Sequence, residues 1–135
     1  VQSAKVAEVM GETPMAGQWL MDCLTHEHDL RAALGMPAVP CAESVAVASE
    51  FLLGHFSDAT KATITLVHEG GERTIGKGEP NNTLNVSMFE FLRAVTGRRS
   101  VAQVMAMDWK QDPTEFVDSL AWGPFRPSQV DIKDQ

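Results

Sequence analysis

The segment ATITLVHEGGERTIGK, residues 62–77, decides the fold that we expect for this chain. Its first half, Ala62–His68, alternates β-branched and apolar residues in the manner of a strand. Gly70 and Gly71 supply a turn, and Glu72–Lys77 then runs back as the second strand of a hairpin. The centre of the chain is therefore an antiparallel β element.

Helical patterns lie on both sides of this hairpin. Glu43–Phe56 carries apolar residues at helical spacing, and Thr83–Ser87 is typical of a third strand. Ser87 and Glu90 form the capping signal of a helix over 88–96. Shorter elements follow: a capping box at Ser100 and Gln103, an edge strand within Met105–Trp109 and a helix over Pro113–Leu120. We expect an α+β fold with a small antiparallel sheet of three or four strands covered by helices.

The clearest single element is a long helix over Pro14–Leu34, which Gly35 ends. Asp22 and His26 fall on or beside its apolar face, so we expect this polar pair to point inward. That face is formed by residues three or four positions apart: Trp19, Cys23, Leu30, Ala33 and Leu34. The proline-bearing connection 36–40 then separates this helix from the α+β unit. Because the chain begins with Val, we expect a fragment, a processed product or a trimmed chain.

Composition narrows the classes of partner. The chain has 135 residues with 18 acidic and 11 basic side chains, giving a net charge of −7. Binding to a phosphate backbone or an anionic membrane needs a basic face, so we expect neither nucleic acid nor membrane as a partner. No apolar run has the roughly 20 residues of a membrane helix. The two cysteines favour a reduced, cytoplasmic protein.

Asp22 and His26 are the residues with the clearest chemical potential. Four positions apart on a helix, they project within one turn and can ligate the same metal ion. Two ligands do not make a site, so a third must come from another helix or another chain. The alternative is an ordinary Asp–His pair on the surface. Asp29 could hold the second ring nitrogen of His26 as an outer-shell partner, or could instead pair with Arg31 or face solvent.

The remaining candidates have competing interpretations. Cys23 could be a third metal ligand, but a small buried apolar residue is the better interpretation because neighbouring helical residues diverge by about 100°. We expect His28 to be solvated. His55 and His68 lie at the ends of elements and are interpreted as structural or exposed. Arg98 and Arg99 follow a helix end, where cations are favourable, or they bind an anion.

Two stretches carry a family resemblance. Met21–Gly35, with the sequence MDCLTHEHDLRAALG, resembles the end of the metal-binding helix bundle in the mycothiol-dependent maleylpyruvate isomerase family, the actinobacterial members of the DinB-like superfamily. Phe89–Ser100, together with Ala102-Gln103 and Asp108-Trp109, is similar to the C-terminal domain of that family, a sterol-carrier-type α+β fold. The order and separation of the two stretches agree with this family.

The resemblance implies a specific set of roles. Asp22 and His26 would be ligands of a divalent metal, with zinc preferred and nickel as the alternative, and mycothiol would be the thiol cosubstrate. If the whole family architecture is present, our own hypothesis is that Arg93, Arg98 or Arg99 holds the carboxylate of a small-molecule substrate through paired hydrogen bonds. Residues 1–36 would be the last helix of an incomplete bundle, and residues 41–135 the C-terminal α+β domain. The family takes a further histidine from an earlier helix, and nothing in this sequence matches it.

Three functions are compatible with these residues. The first is part of a metal- and thiol-dependent isomerase or transferase, completed by a missing bundle segment or a second chain. The second is a non-catalytic α+β binding or dimerisation module with a vestigial metal site. The third joins the two: a symmetric homodimer would bring two copies each of Asp22 and His26 to one metal. A long apolar helix face must in each case be covered by something.

Overall fold

The computed structural model describes residues 16–134. They form two compact units, one containing residues 16–52 with 133–134 and the other residues 53–132. The predicted helix start at Pro14 lies outside the described residues. The division into residues 1–36 and 41–135 stays a prediction.

The elements follow the order expected from the sequence. The helices are α1 (Ala16–Ala33), α2 (Ala42–Ala59), α3 (Met88–Val95), α4 (Val101–Met105) and α5 (Thr114–Val117). The strands are β1 (Ile64–His68), β2 (Gly71–Ile75), β3 (Asn82–Asn85) and β4 (Asp108–Trp109). The two capping signals are confirmed, since Ser87 accepts a bond from the Glu90 amide and Ser100 forms a full capping box with Gln103.

In the first unit, α1 packs closely against the first part of α2. A Cβ added at Gly17 would lie 2.6 Å from the Cβ of Phe51, so the glycine allows the two backbones to approach. Helix α1 ends at Gly35, which has a φ of +65°. The Met36 amide then donates to the Arg31 carbonyl at 2.8 Å, a bond typical of glycine-ended helices.

The second unit is built on a four-stranded sheet in the order β2-β1-β3-β4, and the α+β class is confirmed. Strands β1 and β2 form the expected antiparallel hairpin, with Ile64 opposite Ile75. Strand β3, however, pairs with β1 in parallel, with Ile64 opposite Asn82. The sheet is therefore mixed, whereas the sequence predicted antiparallel strands throughout.

The connection between β2 and β3 explains this parallel pair. It crosses over the start of β1, where the Gly78 amide donates to the Thr63 hydroxyl at 2.9 Å and the Asn81 amide donates to the Thr63 carbonyl at 3.1 Å. Gly76, with a φ of +104°, opens the crossing, and a Cβ there would lie 2.6 Å from the Ala62 carbonyl oxygen. Because the chain arrives at the start of β1, β3 runs in the same direction as β1.

An aromatic cluster forms the core of the second unit. The ring of Phe56 lies 5.7 Å from that of Phe116 and 5.2 Å from that of Trp122, both in edge-to-face geometry. Phe91 completes the cluster at 6.2 Å from Phe56. Trp122 donates its ring N–H to the Val95 carbonyl at 2.8 Å, which satisfies its polar atom. The cluster ties α2, α3, α5 and the C-terminal tail together.

No helix within residues 16–134 combines the length and the apolar character needed to cross a bilayer.

Candidate metal centre

Helix α1 buries a different face from the one predicted. Met21, Leu24 and His28 are buried, at spacings of three and four residues. Trp19 and Leu30 lie on the opposite side and are 53% and 61% exposed. The prediction that the Trp19 face points inward is wrong for this structure. The side of α1 that carries Gly17 is buried because the glycine lets α2 approach closely there. The spacing of apolar residues along the sequence gives no information about this contact.

His28 shows the same reversal. Its residue exposure is only 1%, and its Nδ1 atom lies 2.8 Å from the Leu24 carbonyl oxygen. The expectation that His28 is solvated is therefore wrong. It is buried because it lies on the same helix face as Met21 and Leu24. The charged residues next to it in the sequence lie on other faces and do not determine its burial.

Asp22 and His26 lie on the exposed side of α1, so the expectation that they point inward is also wrong. The His26 side chain is 71% exposed. Their spacing of one helical turn keeps the two side chains on neighbouring positions of the helix surface. The pair is thus accessible to a metal ion and to another chain.

Asp29 is placed beside His26. Its Oδ2 atom lies 3.6 Å from the Nδ1 atom of His26, while Arg31 is engaged with Glu27 at 2.9 Å. Of the partners predicted for Asp29, the structure therefore places it beside His26, while Arg31 contacts Glu27. At 3.6 Å the Asp29 and His26 atoms are too far apart for a hydrogen bond, so Asp29 is a neighbour of His26 that a small side-chain movement would bring into contact with its ring.

The donor set fits half of a metal site. Carboxylate and imidazole are both zinc ligands, but a site needs at least three protein ligands. Among residues 16–134 there is no group of three or more His, Cys, Asp or Glu side chains arranged to hold a metal ion. Cys23 is exposed, so its interpretation as a small buried residue is wrong, and it lies between Asp22 and His26 in the sequence.

The three arginines proposed to bind a substrate anion have protein partners. Arg99 is almost fully buried and forms a bidentate pair with Glu90, with contacts of 2.6 and 3.0 Å. Arg98 donates to the Thr96 carbonyl at 2.6 Å, and Arg93 is 3% exposed within α3. Their role in binding a substrate carboxylate stays a prediction. A substrate would have to displace Glu90 to use the Arg99 guanidinium.

The structure contains a polar cleft of about 330 Å³ that was not predicted from the sequence. Its lining includes Asn81, Asp112 and Glu115 over an apolar floor of Ile64 and Phe116. The cleft combines residues from β1, β3, α5 and the loop before α5. No local spacing in the sequence could have signalled it, because only the tertiary fold brings these segments together.

Both cysteines of the described chain are free, and Cys41 has an activated environment. It precedes α2, and hydrogen bonds from the backbone and side chain of Ser44 and from the Glu43 amide lower the pKa of its thiol. We expect iodoacetamide to alkylate Cys41 with a pH midpoint below that of a free thiol, about 8.5. The measurement is made in a Cys23→Ser variant, in which Cys41 is the one remaining thiol.

Ser44→Ala is the matched control for this alkylation. It removes the hydroxyl donor, so the pH midpoint should move upward while the helix N-terminus remains. A Cys41 midpoint at or above that of a free thiol would contradict the prediction.

Comparison with known proteins gives no relative for this chain: no family model, no curated protein and no solved structure matches it significantly.

Proposed function

We propose that this chain contributes the Asp22 and His26 half of a divalent metal site in a mycothiol-type, thiol-dependent isomerase or transferase. The observation that supports it most is the position of the pair: both residues are exposed on one side of α1, and Asp29 lies beside Nδ1 of His26. The family resemblance supplies the reaction class. A cytoplasmic location and a small-molecule substrate are part of the same proposal.

The residues of α1 would have distinct tasks. Asp22 would offer a carboxylate and His26 its imidazole to the metal, and Asp29, which lies beside the His26 ring, would help to orient that ring. A bound zinc ion, or nickel in its place, would supply a Lewis acid that stabilises the thiolate form of the thiol cosubstrate. The exposed apolar side chains around the pair would exclude water once another segment or chain covers them.

Metal content tests this proposal. The untagged protein is brought to equilibrium with zinc across a dialysis membrane, and elemental analysis gives the bound zinc at known free zinc, so that the weak binding expected of two ligands is also registered, next to His26→Ala and Asp29→Asn. Loss of an outer-shell partner weakens metal binding by about 10–100-fold, so Asp29→Asn should retain less zinc than the wild type. His26→Ala, which removes a ligand itself, should lose the metal.

His55→Ala is the matched control, since it removes an exposed histidine from α2 and should leave the metal content unchanged. Zinc retained by His26→Ala at the wild-type level would overturn the proposal. If metal is bound, a low-molecular-weight thiol should bind the zinc form more tightly than the metal-free form.

The alternative is a non-catalytic α+β binding or dimerisation module with a vestigial metal site. The pairing of Arg99 with Glu90 favours it, because this guanidinium already binds a carboxylate of its own chain. This alternative predicts no specific zinc binding in either the wild type or His26→Ala.

A further inference from the structure

We propose that residues 128–132 form a strap, latched onto α4 by the Gln103 side chain, that opens as one piece while the rest of the second unit stays folded. The inference goes beyond the proposed function, because it concerns a conformational step and does not depend on metal binding. In the closed state, which the structure shows, the strap lies against the start of α4.

The latch is the side-chain amide of Gln103, which belongs to the capping box of α4. Its Nε2 atom donates to the Ile132 carbonyl at 2.7 Å, and its Oε1 atom accepts the Ile132 amide at 3.0 Å. Oε1 also accepts the Ser100 amide at 3.0 Å, so one side chain caps the helix and binds the strap. A glutamate here would cap α4 as well, but only an amide can also donate to the Ile132 carbonyl.

Two further polar contacts hold the strap closed. Ser100 donates its hydroxyl to a carboxylate oxygen of Asp131, and the Ser128 amide donates to the Arg99 carbonyl at 3.0 Å. Within the strap, the Ser128 hydroxyl donates to the Val130 carbonyl at 2.6 Å and accepts the Val130 amide at 3.2 Å. These internal bonds give the strap a shape of its own, so it can leave α4 as one piece.

The chain before the strap is fixed more firmly. Trp122 donates its ring N–H to the Val95 carbonyl at 2.8 Å, and the ring of Phe125 lies 5.3 Å from that of Trp122. A Cβ at Gly97 would clash with the Arg126 carbonyl, so the chain passes directly over this glycine. The chain is thus anchored as far as residue 126, and the movement is confined to the residues that follow.

The strap itself has no apolar anchor. None of residues 128–132 is buried, and Val130 is 68% exposed. Water can replace the polar contacts that remain, so each contributes little net stability, and a segment held in this way opens at low cost. Val104 of α4 has 0% exposure, so α4 stays in place when the strap opens.

Opening changes the surface at the start of α4. A groove of about 560 Å³ lies between Ser100–Ala102 and the chain from Arg126 to Asp131, so the strap forms part of its wall. The Ser128 amide also holds the backbone of Arg99, one of the arginines predicted to bind a substrate carboxylate. An open strap therefore widens this groove and frees the backbone that carries Arg99.

Amide hydrogen exchange, followed residue by residue by NMR, tests the strap. In the wild type, the Ser128 amide should exchange faster than the Val104 amide, which donates within α4. Gln103→Glu keeps the cap but places a carboxylate oxygen against the Ile132 carbonyl, so Ser128 should exchange faster by about tenfold. Asp131→Ala removes a contact from the strap side and should act in the same direction without altering Gln103.

Gln129→Glu is the matched control. It makes the same substitution at an exposed position of the strap outside the latch, and should change the Ser128 rate by less than about twofold. Faster exchange at Ser128 with an unchanged rate at Val104, in either test variant, supports the strap. The inference is overturned if Ser128 and Val104 exchange at the same rate in the wild type, if neither variant accelerates Ser128, or if both amides accelerate equally.

Discussion

Replacing Phe56 by alanine should lower the free energy of unfolding of the second unit by about 3–5 kcal/mol. Phe56 has 0% exposure and lies in edge contact with the rings of Phe91, Phe116 and Trp122. Its loss removes apolar burial and leaves a cavity lined by rigid rings, which cannot collapse to fill it. Urea unfolding followed by tryptophan fluorescence measures the change.

Both proteins carry Trp19→Phe, so that the fluorescence reports only on the second unit. The chain's other tryptophans, Trp109 and Trp122, both lie in that unit. Val101→Ala is the control: Val101 is 44% exposed, and its truncation should change stability by no more than about 0.5 kcal/mol. A loss below about 1.5 kcal/mol for Phe56→Ala would contradict the aromatic core described above.

Replacing Glu90 by alanine should cost about 2–3 kcal/mol. The Arg99 side chain is only 5% exposed and donates two hydrogen bonds to the Glu90 carboxylate. Removing one partner leaves a buried charge without its counterion, which costs about 3–5 kcal/mol in a fully buried pair. We expect less here because Glu90 is 36% exposed and solvent screens part of the interaction.

A double variant separates charge burial from packing. Glu90→Gln combined with Arg99→Met replaces both charges, so its cost should be smaller than that of Glu90→Ala alone. If the double variant is the less stable one, the ion pair itself contributes more than the penalty for an unpaired guanidinium. Glu72→Ala, at an exposed position of β2, should change stability by no more than about 0.5 kcal/mol.

Local signals predicted the elements well. The Ser87 and Ser100 caps and the hairpin around Gly70 and Gly71 depend on neighbours a few residues apart, and each was found where expected. The parallel pairing of β1 with β3 was missed. It depends on how the connection from Gly76 to Asn81 crosses the start of β1, and a strand pattern carries no information about the direction of its partner.

The candidate site was predicted in its spacing but not in its orientation. Asp22 and His26 could be identified because helical geometry fixes which residues are neighbours. Which face of α1 is buried depends on Gly17 and its approach to Phe51, a tertiary contact. The sequence therefore placed His28 in solvent and Trp19 in the core, and the structure reverses both.

The most direct test of the metal proposal observes the imidazole rings themselves. In protein labelled with ¹⁵N-histidine, zinc addition should shift the Nε2 resonance of His26 and leave the other three histidines, His28, His55 and His68, unchanged. No shift at His26, or a shift confined to another histidine, would contradict the assignment of α1 as a metal-binding helix.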